Sequence, residues 1–238
     1  MLLSSVLAAC GGSAPKQAEE PVVSSKPTTR VPVEEPPEEE GVTIVNARGR
    51  MEKEAIEAGL EPHNQALMDC YMTKVERRRW LGGHVVLQWD IKKDGTITAV
   101  KLVESDLGNW QIEKCLLEVA RAATFGKPIG GDADFQLPLD FIAKGRLVTW
   151  EEEQGLKAVG GQTAKLDACA KGKVPAPRDV TITVYVGPAG KAQSVGFSSA
   201  ATVIDDKWGD CAEKAALGWR LPDPKGIVAK LAIKYRTQ

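Results

Sequence analysis

The sequence predicts an α+β fold of two tandem units, each running helix, strand, strand, helix, strand, with a small antiparallel sheet and one disulfide. Three observations predict it. Apolar residues alternate at period two in paired segments joined by turn residues, the pattern of half-buried hairpins. Other segments place apolar residues at helical spacing behind a capping residue. The same order of segments then returns about 96 residues later, with a cysteine pair in each copy.

In the first copy a helix carries Leu67, Cys70 and Tyr71. Val85, Leu87, Trp89 and Ile91 alternate on a strand, Lys92-Lys93-Asp94-Gly95 turns the chain, and residues 97–103 return. Asn109 caps a helix with Ile112, Cys115, Leu116, Val119 and Ala123 on one face. Phe135, Leu137, Leu139 and Phe141 make the third strand. In the second copy the corresponding pieces are a helix with Leu166 and Cys169, then a strand with Val180, Ile182, Val184 and Val186. The turn Gly187-Pro188-Ala189-Gly190 follows. Asp205 or Asp206 then caps a helix bearing Trp208, Cys211, Ala212, Ala215 and Trp219, and Leu231, Ile233 and Tyr235 close the copy.

The equivalence of the copies chooses among three disulfide connectivities: Cys70 with Cys115, and Cys169 with Cys211. Each bridge contributes about 4 kcal/mol in the loop-entropy model, which matters for units of modest core. Such bridges require an oxidising compartment. The expectation is that each unit folds on its own. No cysteine or histidine pair stands at metal-ligand spacing, so no metal is expected.

The amino terminus agrees with export. Leu7-Ala8-Ala9-Cys10 resembles the bacterial lipobox, in which the cysteine thiol is acylated, so residues 1–10 are read as signal and lipid-attachment site at Cys10. The signal is short and lacks a basic region, which points to a start upstream of Met1. No aspartate follows Cys10, which favours the outer membrane, and three acyl chains would anchor far more firmly than one. Residues 11–42 interleave six prolines with seven glutamates and read as an extended, solvated tether. The two units then occupy 43–143 and 144–238.

Composition excludes several classes. The 238 residues carry a net charge of −1, which gives no electrostatic case for nucleic acid. No apolar run reaches the length of a membrane-spanning helix. The two histidines, His63 and His84, weaken any histidine-dependent chemistry. Ser105 and Ser198-Ser199 have no local base, and Glu151 to Glu153 and Asp205-Asp206 read as a solvated face and a helix cap.

Together Cys70-Tyr71, Gly82-Gly83, Asp94-Gly95, Ser105, Cys115, Phe125, Pro128, Gly130-Gly131, Pro138 and Phe141 resemble the AgmX/PglI C-terminal domain of myxobacteria, itself similar to the TonB C-terminal domain. The resemblance covers roughly residues 42–143. The second copy keeps Cys169, Gly190, Cys211 and Trp219-Arg220-Leu221-Pro222 but lacks the Tyr, the turn Asp and the Gly-Gly pair. The resemblance implies an envelope protein of gliding-motility or TonB-like trans-envelope transport machinery, without catalytic residue or cofactor. It also implies a sheet edge, residues 133–141, that accepts a partner protein's strand. A TonB-type transducer needs an inner-membrane helix, which is not found here, so a passive receiver or scaffold is expected. The competing readings are a peptidoglycan- or polysaccharide-binding module using exposed Trp80, Trp110 or Trp150, and a small envelope enzyme. The run Arg77-Arg78-Arg79-Trp80 is read as a solvated helix end, with an anionic lipid or glycan contact as the sharper alternative.

Overall fold

The computed structural model describes residues 48–75, 78–170 and 174–236. The expected lipid-attachment cysteine Cys10, the tether at 11–42 and Arg77 lie outside the described residues. Residues Val45–Gln238 form one compact unit, a mixed α+β structure with two small sheets and two disulfides.

Helix α1 (Lys53–Leu60) leads through a 3-10 turn into α2 (Asn64–Val75). Strands β1 (Gly83–Ile91) and β2 (Ile97–Ser105) form the first hairpin, α3 (Trp110–Ala122) follows, and β3 (Ala133–Phe141) completes a sheet of order β2-β1-β3, wholly antiparallel. The turn is set by Gly95 at φ 92° and by Asp94, whose side chain accepts from Thr96 N–H at 2.9 Å. Asn109 caps α3 as its position predicts, accepting from Ile112 N–H at 3.0 Å.

The second sheet corrects the expectation of a purely antiparallel one. Strand β4 (Leu147–Trp150) and α4 (Glu152–Val159) precede the short α5 (Ala164–Asp167). Strands β5 (Val180–Val186) and β6 (Ala192–Ser198), α6 (Asp206–Leu217) and β7 (Val228–Tyr235) then give the order β4-β7-β5-β6, with β4 parallel to β7. Four residues are too short for a period-two pattern, yet β7 offers them an edge whose backbone groups need partners. Asp205, not Asp206, is the cap of α6, accepting from Lys207 N–H and Trp208 N–H.

Cys169 lies just beyond α5 rather than within a helix like that of Cys70. There the chain tightens into i+3 bonds, Cys169 N–H to the Leu166 carbonyl and Ala170 N–H to that of Asp167. Both expected disulfides form, Cys70–Cys115 and Cys169–Cys211, each with Cα atoms 5.6 Å apart. Each ties a preceding helical segment to the helix over its sheet.

The packing argues against halves that fold independently. Trp110 of α3 meets Phe197 of β6 at 5.8 Å, and Phe197 meets Trp208 of α6 at 5.3 Å, all three rings buried. Trp110 Nε1–H donates to Asp210 at 2.8 Å, and Tyr185 O–H donates to the Gly82 carbonyl at 2.7 Å. One hydrophobic cluster runs from Leu60 to Tyr235. At roughly 25 cal/mol per Å² of apolar surface, these large shared rings couple the two sheets.

Candidate functional site

Strand β3, where the sequence places the partner-binding residues, is an edge of its sheet. The opposite edge, β2, lies against the second half, where Ser199 N–H donates to the Leu102 carbonyl at 2.8 Å. The direction of β3's free backbone groups follows from β1. The His84 carbonyl accepts Asp106 N–H, and the Asp90 carbonyl accepts the Thr98 hydroxyl, both at 3.0 Å, so even-numbered residues of β1 face β2. The register of β1 with β3 is unbroken and pairs Val86 with Pro138. Asp134, Gln136, Pro138 and Asp140 therefore turn their backbone outward, and Pro138 has no N–H to offer there.

On the core-facing side of β3, Phe135, Leu137 and Leu139 are only half-buried, whereas Ala133 and Phe141 are buried. Phe135 stacks on Trp89 at 5.0 Å, and Phe141 on Tyr71 at 4.7 Å. The corresponding residues of β7, namely Leu231, Ile233 and Tyr235, are all buried. The difference has a local cause. On β7, β4 occupies the outer edge over Val228–Leu231, and α4 lays Gly155 on Ile233 and Leu231. At the start of β3, among the described residues, only Arg48 makes a parallel bridge, to Asp132, before Arg50 turns away to pair with Ile129. Arg48 also bonds Asp134 at 2.8 Å.

The groups weighed for catalysis are otherwise engaged. Ser105 is buried and donates to Glu113 Oε1 at 2.7 Å. Ser199 donates to the Arg178 carbonyl at 2.7 Å. His84 pairs with exposed Asp140 across β1 and β3 at 2.8 Å, and that hydrogen bond raises its pKa. Glu151 stands at the N-terminus of α4, with Glu152 and Glu153 in its first turn. Five of the six tryptophans are buried, which removes Trp110 and Trp150 as ring-stacking surfaces, while Trp80 is half-buried.

Sequence reasoning missed Glu113. It sits in the first turn of α3, wholly buried, with Oε1 accepting from Ser105 and from Gly108 N–H at 3.2 Å. Its Oε2 reaches into the other half and accepts from Phe197 N–H at 2.8 Å. Burial pushes its pKa up to about 7 against those hydrogen bonds. Gly196 leaves the room, since a Cβ there would collide with the carboxylate. The only signal was an acidic residue on the apolar side of a predicted helix, next to Ile112 and Leu116. Glu113 is a clamp between the halves; its carboxylate has no accessible surface to present to a substrate.

Comparisons with family models, with curated proteins and with solved structures found no match.

Proposed function

We propose that this chain is a non-enzymatic lipoprotein of the bacterial envelope, anchored through Cys10 to the outer membrane and facing the periplasm. In this reading it is a scaffold within trans-envelope machinery of the gliding-motility or TonB-like kind. Its two halves are divergent copies of one TonB-C-like unit, and a partner protein docks by adding a strand to β3. The observation that carries the reading is the contrast at equivalent strands: β4 pairs with β7 over Val228–Leu231 and α4 packs on it, while β3 leaves Phe135, Leu137 and Leu139 half-buried beside backbone groups with no strand partner among the described residues. Strand addition uses those two resources together, main-chain hydrogen bonds for affinity and alternate side chains for specificity. The stretch of β7 that β4 pairs corresponds to residues 132–135, upstream of Pro138. Both disulfides suit an oxidising compartment, and the matching registers of β1 with β3 and β5 with β7 support the duplication.

The test places a photo-crosslinking residue at Gln136 in cells, with Lys230, in the stretch of β7 that β4 covers, as control. Capture of a defined envelope protein from Gln136 alone is expected; equal capture from both positions, or none, overturns docking at β3. Separately, Cys10→Ser is expected to release the protein from the membrane fraction, and retention overturns the anchor.

A further inference from the structure

The junction of the two halves holds a cleft that the docking surface does not use. Two adjoining hollows, of about 410 and 550 Å³, share Arg78, Gln193 and Leu217, and each lies within the range of ligand sites. One wall is Lys74, Arg78 and Trp80 from the first half; the other is Lys191, Gln193 and Glu213 from the second. Beneath them Asn109 and Ser194 are buried and bonded to one another at 2.9 Å, and Ser194 O–H donates to the Gly108 carbonyl at 2.7 Å. The floor is therefore fixed by the packing of the two halves.

Three features describe the ligand. Lys74, Arg78 and Lys191 line the cleft with no side-chain hydrogen bond or ion pair among the described residues, facing the one carboxylate of Glu213. That excess of positive charge calls for an acid. Trp80 packs on Tyr185, ring centres 4.7 Å apart, yet is only partly buried, the one tryptophan that is not buried. An indole face is an apolar platform for a ring, and the C–H face of a pyranose fits it, whereas a bare phosphate has no use for it. Glu213, accepting from Gln111, and the amide of Gln193 supply partners for hydroxyl groups.

We propose that the cleft between the halves binds an acidic glycan, with a sugar ring on Trp80 and its acid groups on Lys74, Arg78 and Lys191. This site stands apart from β3 and does not depend on docking there. Titration calorimetry of the full chain with a galacturonate hexamer, and with neutral cellohexaose, tests it. The uronate is expected to bind, more weakly as salt rises, and cellohexaose about tenfold less well. Arg78→Ala and Lys191→Ala each lower uronate affinity by about tenfold. Trp80→Phe keeps binding, and Trp80→Leu loses it with the thermal unfolding midpoint of Trp80→Phe. Absence of uronate binding at millimolar concentration, equal affinity for the two hexamers, or indifference to Arg78→Ala overturns the proposal. So does binding to phosphatidylglycerol vesicles without binding to the uronate, which assigns the cations to a lipid surface.

Discussion

The two sheets share a register and differ in their cover. Val85, Leu87, Trp89 and Ile91 pair with Leu139, Leu137, Phe135 and Ala133, as Val180, Ile182, Val184 and Val186 pair with Tyr235, Ile233, Leu231 and Ala229. One irregularity also repeats, between Asp90 and Ile91 in the first hairpin and between Tyr185 and Val186 in the other, while the first hairpin has a further one between Val86 and Leu87. Yet in the second sheet β4 pairs with β7 along Val228–Leu231 and α4 packs on Leu231 and Ile233, so the edge passes to a strand of four residues, whereas among the described residues the outer side of β3 has no such cover. Two sheets with matching backbones can thus differ in function through what lies on one edge, because an unpaired edge strand is a binding template unless something blocks it.

The largest effect is expected where the two regions are joined. Trp110→Ala removes the ring that touches Phe197 and Gly209 and the indole N–H that serves Asp210. Loss of about 3–5 kcal/mol is expected, with near-UV circular dichroism and hydrogen exchange in both sheets reporting one transition. Two separate transitions would restore independent halves. Reduction of Cys70–Cys115 alone, through Cys70→Ser, is likewise expected to lower one common midpoint, by about 2–4 kcal/mol.

Glu113 makes that junction pH-sensitive. Its carboxyl titrates near 7 in the folded protein against an ordinary 4.5, so between those values the folded state holds the extra proton. Stability from this group is therefore fully present below about pH 4.5 and falls as pH rises through 7. The drop is on the order of 3 kcal/mol. Chemical denaturation at pH 5 and pH 8 measures it, and Glu113→Gln is expected to flatten the difference; an unchanged slope would assign it to other groups.

Much of this fold was legible because both hairpins and both sheet-covering helices keep strict periodicity. The helical segments before the hairpins were harder to align. Cys70 and Cys169 are separated by 99 positions, whereas Cys115 and Cys211 are separated by 96, so the offset between the two halves changes along the chain. Helices α1 and α4 went unseen, since neither has a side-chain cap and both are densely charged. The edge at 133–141 was legible as a strand. Its exposure was not, because it depends on what residues 48–51 fail to do: after one bridge at Asp132 the chain turns away. The cleft at Trp80 could not be read at all, since it joins residues more than a hundred positions apart.

A moderate effect is expected from making the closed sheet resemble the open one. A Cβ on Gly155 would stand 3.2 Å from Ile233 Cγ2 and 3.5 Å from Leu231 Cβ. Gly155→Val must then lift α4 from β7, at about 1–3 kcal/mol. Hydrogen exchange at the β7 amides that face β4 is expected to rise toward that of the outward amides of β3. Unchanged protection would mean that β4 alone closes the edge, without help from α4.

The smallest effect on stability sharpens the comparison most. Pro138 is exposed, and its nitrogen faces the open side of β3, where it interrupts the row of donors between Gln136 and Asp140. Asp134 and Asp140 flank it on the same strand, paired with Arg48 and His84. On the proposed reading the edge stays open for one partner and has to resist other strands, and a missing donor flanked by charge does so. Pro138→Val restores the donor without touching the core, so stability is expected to change by less than about 0.5 kcal/mol. Self-association, followed by sedimentation velocity over a concentration series, is expected to rise, and Gln136→Pro in the same background to abolish it. A variant that stays monomeric would mean that charge alone guards the edge. In that case the Asp134→Asn and Asp140→Asn pair should associate where Pro138→Val does not.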